Sequence, residues 1–159
     1  MKAAAIFILV LCLAALGGIG YLYLNSSVTV SYAECIATDP VTQLDIYHQL
    51  TSALTAGTLI GTPFSGDVPA SPEDALFYTY TVHLENRSFL PVEIVEIQVT
   101  PIPGDILQMG ETQAYDLPTG RTMDLTATIL TLKSVQNIRE LTVTYYIWGL
   151  PFTARVTAV

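Results

Sequence analysis

The chain reads as an all-β sandwich of about seven or eight antiparallel strands, with one inserted amphipathic helix and an apolar helix ahead of it. Three observations predict this. Apolar and polar residues alternate with period two over 78–85, 122–129 and 141–148, the signature of strands with one buried face. Turn formers separate such stretches at Asn86-Arg87-Ser88, Pro118-Thr119-Gly120 and Gly149-Leu150-Pro151. Helical spacing of apolar residues occurs in one place after residue 24, the segment 40–55.

The elements follow in order. Ala3 to Leu24 is 22 residues without a charge. As a helix it spans roughly 33 Å, enough for a hydrocarbon core of about 30 Å. Lys2 and the α-amino group precede it, and Asn25-Ser26-Ser27 follows with no positive charge. The positive-inside rule then puts the N-terminus in the cytoplasm and the remainder outside, with Tyr21 and Tyr23 at the outer headgroup layer. The alternative is a cleaved signal with an apolar region Ile6–Leu16 and a small-x-small site at Ala15-Leu16-Gly17, giving a secreted domain. Leu11 before Cys12 disfavours a lipoprotein, and the lack of any Glu before Glu34 disfavours a pilin. Either way residues 1–24 are an anchor or signal, and 25–159 form one extracytoplasmic domain, large enough for its own core.

Val28, Val30 and Tyr32 alternate with Thr29 and Ser31 as a first strand. Thr38-Asp39-Pro40 is a helix start, a capping residue followed by Pro at the first helical position. Val41, Leu44, Tyr47, Leu50 and Leu54 form the helix's apolar stripe, and Ala56-Gly57 ends it. Residues 58–63 suggest a short edge strand and 64–74 a loop. Tyr78, Tyr80, Val82 and Leu84 share one face of a strand, with Thr79, Thr81, His83 and Glu85 on the other. In 92–100 the parity breaks between Val92/Ile94 and Val95/Ile97/Val99, which a β-bulge near Ile94 reconciles. Segments 106–109 and 113–117 read as short strands. Met123, Leu125, Ala127 and Ile129, then Leu141, Val143, Tyr145 and Ile147, then Phe152, Ala154, Val156 and Ala158 give three further buried rows.

The stretches "LENRS", "VEIVEIQV" and "LPTGRTMDLTATI", over roughly residues 77–130, resemble the exported immunoglobulin-like modules of the FxLYD type. In those, a strand ends in an Asn-x-Ser turn, a second strand follows, and a Pro-Gly turn opens a third. The Phe-x-Leu-Tyr-Asp signature itself is absent, as is the Cys…Trp…Cys spacing of antibody domains. The resemblance implies an immunoglobulin-like fold and a place on the cell surface, and no activity.

Composition narrows the function. Beyond Leu24 stand five basic and fourteen acidic side chains, net −9. Such a domain repels nucleic acid and argues against docking on anionic lipid through a basic patch. With charged residues at only 13%, the sequence is not that of a disordered chain. Cys12 lies in the apolar run, so Cys35 is a lone thiol and no disulfide framework exists. The two imidazoles, His48 and His83, have no nucleophile motif around them, so no enzyme is expected. Neither a zinc spacing nor a calcium-loop pattern occurs, although Asp67, Glu73 and Asp74 gather in one loop, and no cofactor is expected. Asn25-Ser26-Ser27 and Asn86-Arg87-Ser88 are formal glycosylation sequons, the second also a plain tight turn.

Tyr146 and Trp148 alternate out of the core-facing row and form the candidate partner-binding pair, since Trp is enriched at binding hot spots. The helix 40–55 is expected to cover that face with Leu44, Tyr47, Leu50 and Leu54, because its apolar stripe must pack on something. The functional expectation is a non-enzymatic interaction or structural module of the cell envelope, anchored in lipid by its N-terminal helix and meeting a protein partner. The alternative is a sensory or ligand-binding ectodomain of a membrane complex.

Overall fold

A computed structural model describes residues 2–25, 27–64, 67–110 and 115–158. Ser26 of the first sequon, Ser65-Gly66 of the expected loop, and Gln113-Ala114 at the start of the expected strand 113–117 lie outside the described residues.

Lys2–Leu24 is a single helix, α1, and the window Ala4–Leu22 is wholly unburied with mean hydropathy 2.5, long and apolar enough to cross a membrane. Asn25 closes it, its backbone and side-chain amides both donating to the Tyr21 carbonyl.

Nine strands follow among the described residues: β1 Val28–Thr38, β2 Gly61–Pro63, β3 Ala75–Asn86, β4 Val92–Val99, β5 Asp105–Met109, β6 Tyr115–Leu117, β7 Thr122–Leu132, β8 Arg139–Ile147 and β9 Leu150–Ala158. The count passes the expected seven or eight; β2 and β6, three-residue edge strands, fall within the segments 58–63 and 113–117 that read as short strands. The strands form two antiparallel sheets, β1-β3-β7-β5-β2 and β6-β4-β8-β9. The runs β1-β3-β7 and β4-β8-β9 are the A-B-E and C-F-G runs of an immunoglobulin-like sandwich. Between β4 and β7 the chain changes sheet three times, since β5 joins the first sheet before β6 joins the second.

The alternation explains the core. Tyr80, Val82 and Leu84 of β3 with Leu125, Ala127 and Ile129 of β7 face Ile94, Ile97, Val99, Leu141, Val143, Tyr145 and Ile147 of the second sheet. The bulge expected near Ile94 is present between Ile94 and Glu96, and it returns Ile97 and Val99 to the core. A second bulge, between Tyr32 and Glu34, hides the true length of β1: Val28, Val30 and Tyr32 pack inward before it, Cys35 after it. The sequence pattern stops at Tyr32 because parity flips there.

The helix forms as predicted and packs elsewhere. A 3-10 turn, Pro40–Gln43, starts where the Asp39 carboxylate accepts from the Val41 amide at 3.0 Å, and α2, Leu44–Ala56, ends at Gly57 with φ 68°. Tyr47, Leu50 and Leu54 cover Ala75, Phe77, Leu107 and Leu130, a second core on the outer face of the first sheet. The expectation that α2 covers the Tyr146 and Trp148 face is therefore overturned. Phe77, Leu130 and Leu107 lie side by side across β3, β7 and β5 and offer apolar area. The outer row of the second sheet offers Glu96 beside Thr144 and Gln98 beside Thr142. Burying a large apolar side chain gains about 1.5–3 kcal/mol, and only the first sheet repays the helix.

One turn also differs. Ile147 pairs with Leu150, so the two-residue turn is Trp148-Gly149 and Leu150-Pro151 already belong to β9. Both turn residues have positive φ, 53° and 74°, the type I′ hairpin geometry. Trp148 has thus left the strand, and no Asn or Asp at its position announces the turn.

Two buried polar contacts tie the sheets together. Arg139 at the start of β8 donates from Nε and Nη2 to both carboxylate oxygens of Asp105 on β5, at 3.0 and 2.7 Å, with both side chains fully buried. Gln108 on β5 donates from Nε2 to the Ile97 carbonyl at 2.7 Å and accepts from the Val99 amide at 2.9 Å, reaching β4 across the sandwich.

Two outcomes are expected in thermal or urea unfolding. Asp105→Ala strands a buried guanidinium and costs about 3–5 kcal/mol, whereas Asp105→Leu with Arg139→Met recovers most of that loss. Trp148→Asn supplies a residue that tolerates positive φ and stabilises the hairpin by about 0.5–1 kcal/mol, the reverse of a core truncation.

Candidate interaction surfaces

With the outer face of the first sheet partly closed by α2, three surfaces carry exposed side chains of chemical interest. The first is the outer face of the second sheet. Tyr146 lies on it between Glu93 of β4 and Pro151 of β9, half-buried by those neighbours. Thr144 lies between Glu96 and Thr153, and Thr142 between Gln98 and Arg155, so three strands present a flat, threonine-rich surface. Its acids, Glu93, Glu96 and Asp116, gather on the β4–β6 side. Arg155 meets Glu140 at 3.5 Å, an exposed contact that contributes at most about 1 kcal/mol. A shallow groove beside this face is lined by Thr62, Phe64, Gln98, Val99, Pro101 and Thr142. Gln108 occupies backbone groups of β4 at this edge, which limits pairing with an incoming strand.

The second surface is the part of the first sheet's outer face beyond α2. Here Ser31, His83 and Asp124 stand side by side on β1, β3 and β7. His83 Nδ1 lies 2.6 Å from Asp124 Oδ1. The Ser31 hydroxyl donates to the His83 carbonyl oxygen at 3.4 Å rather than addressing the ring. Activation of a serine needs the base to take its proton, and this hydroxyl is directed at the main chain. The row is a cross-strand polar ladder on an open sheet, legible only once the strand pairing is known. His48, the other imidazole, sits edge-on to the Tyr47 ring at 5.7 Å. Among the described residues no three His, Cys, Asp or Glu side chains gather as a metal-ligand set.

The third surface is the end of the sandwich where β3 turns into β4. The Asn86 side chain is fully buried. Its Nδ2 donates to the Leu90 and Leu117 carbonyls, both at 2.9 Å, and its Oδ1 accepts from the Ser88 amide and hydroxyl. A side-chain amide so engaged is closed to a glycosyl group, and the Asn-x-Ser sequence here is a structural turn. The Asn86 backbone bonds to Gly120 and Arg121 of the next turn, and the Arg87 amide bonds to the Ser27 carbonyl at 3.0 Å. Trp148, 57% exposed, and Phe89, 68% exposed, project at this end. The structure thus separates the predicted pair: Tyr146 belongs to the sheet face and Trp148 to the tip.

Burial raises the Cys35 thiol above its ordinary range, opposed in part by a hydrogen bond with Tyr80 and by the Arg139 charge. Burial likewise raises the Tyr80 hydroxyl, which donates to the Asn137 carbonyl at 2.8 Å.

No family model and no curated protein matches the chain. Among solved structures it is similar to a FixG-related protein from Vibrio parahaemolyticus, with 14% sequence identity and a TM-score of 0.40 over 84% of this chain and 92% of that one. At that identity and score the likeness assigns this chain neither a family nor a role.

Proposed function

We propose that the chain is a non-enzymatic interaction module of the cell envelope, held to a membrane by α1, with its sandwich on the extracytoplasmic side and a protein partner bound on the outer face of the second sheet. The observation that carries this reading is the disposition of α2. One outer face of the sandwich is covered in part by the helix, while the opposite face presents Tyr146, a row of β-branched threonines and an acidic margin to solvent. Ordered strand faces carrying an aromatic suit protein contact, since the backbone is already fixed and little entropy is lost on binding. The unburied apolar helix supports the anchor, and Lys2 ahead of it supports the orientation. The resemblance to exported FxLYD modules belongs to the same proposal. The acidic margin favours a partner that is basic or neutral where it meets β4.

Photo-crosslinking in intact cells tests the surface. A benzophenone side chain at position 144 is expected to give an adduct of discrete mass, and one at Thr55 on the exposed side of α2 is not. Tyr146→Ala is expected to lower that adduct about tenfold while changing stability by less than about 1 kcal/mol. Adducts from Thr55 alone would move the partner to the helix and overturn the proposal.

A further inference from the structure

Three residues, Asn25 to Ser27, separate the end of α1 from β1. Fully extended, they reach about 10 Å. The strand pairing fixes which end of the sandwich lies at that connection. Val28 pairs with Asn86, Glu85 with Thr122, and Val92 with Leu117. Glu93 pairs with Tyr146, and Ile147 with Leu150. The first residue of β1, the β3–β4 turn, the β6–β7 turn and the β8–β9 hairpin therefore share one end, cross-bonded through Asn86 and Ser27.

That end is apolar at its tips. Outside α1, Phe89 and Trp148 are the exposed large aromatic side chains among the described residues, and both lie here, in turns that flank neighbouring strands of the second sheet. Leu150, 49% exposed, joins them across the hairpin. Trp148 also holds a backbone conformation that a bulky side chain seldom adopts, where Asn or Gly would sit without strain. Charge does not distinguish the two ends: Arg87, bonded to Glu85 at 2.7 Å, and Arg121 lie at this end with Glu93 and Asp116, and Asp39, Glu73 and Asp74 lie by the far end, where β1 stops and β3 begins.

We propose that Phe89, Trp148 and Leu150 seat this end of the sandwich in the headgroup layer of the bilayer that α1 spans, so that the domain stands on the membrane rather than swinging from a tether. This rests on the reading of α1 as a retained anchor, and holds for either orientation of that anchor. The occupant is the leaflet itself, because a connection of about 10 Å leaves little depth for a protein between this end and the lipid surface. Tryptophan favours the interface, and phenylalanine and leucine enter it beside such a ring, so the seating rests on these apolar tips and not on the charge of an acidic domain.

Trp148 is the single tryptophan of the chain and reports its own surroundings. The full-length protein is reconstituted in phosphatidylcholine liposomes, with and without bromine on the acyl chains. The expected result is blue-shifted Trp148 emission that falls by a factor of about two or more in brominated lipid and resists aqueous iodide. Moving the reporter with Phe89→Trp in a Trp148→Phe background is expected to give the same quenching. Flotation after carbonate washing separates the two levels of the argument. Protein that floats with the lipid but keeps iodide-accessible, bromine-insensitive emission at both positions overturns the seating and leaves the anchor standing. Protein stripped from the liposomes overturns the anchor and the seating with it. Emission shielded from iodide in native membranes but exposed in pure lipid assigns the tips to a protein partner, and also overturns the seating.

Discussion

The buried pair of Asp105 and Arg139 is the contact on which the arrangement of the two sheets depends. A buried ion pair is tolerable only when its remaining hydrogen-bonding capacity is met, and here it is. Arg139 Nη1 donates to the Gln136 and Ile138 carbonyls, and Asp105 Oδ2 also accepts from the Ile102 amide at 2.8 Å. The pair thereby fixes the loop that brings the chain from β4 to β5 and the loop from β7 to β8. Tyr78 and Tyr80 add bonds from β3 to the second of these loops. Without it, the early crossing of β5 into the first sheet has no polar partner across the sandwich except Gln108.

Once that far end is locked, the faces take their roles by elimination of apolar area. β5 sits beside β7, so Leu107 extends the row of Phe77 and Leu130, and α2 has a surface to cover. The second sheet, with no comparable outer row, is left bare. The near end is locked separately, by the Asn86 amide and by the Arg87 bond to Ser27, which holds the start of β1 beside the β3–β4 turn.

Much of the sandwich was legible in the sequence because period-two alternation records burial directly. The rows of β3, β7 and β8 and the bulge of β4 could be read to within a residue or two. What could not be read were features set by pairing rather than by pattern. The Asp105–Arg139 pair joins residues 34 apart, each unremarkable in its own segment. The destination of α2 depended on which sheet received β5, and nothing in the helix's own stripe distinguishes the two outer faces. The reading of Tyr146 and Trp148 as one surface failed at the turn, because a type I′ hairpin usually announces itself with Asn-Gly or Asp-Gly and this one begins with Trp. The polar row of Ser31, His83 and Asp124 likewise needs three strands in register before it exists.

In the proposed arrangement an apolar helix holds this sandwich outside a membrane with its second sheet open. Single cysteines in a Cys12→Ser, Cys35→Ser background test it most directly in intact cells, probed with a membrane-impermeant maleimide. A cysteine at Thr144 is predicted to label at once from outside, and one at the buried Val143 to resist until the protein is unfolded. Labelling at position 144 only after the cells are made permeable would place the sandwich on the cytoplasmic side and overturn the proposed arrangement.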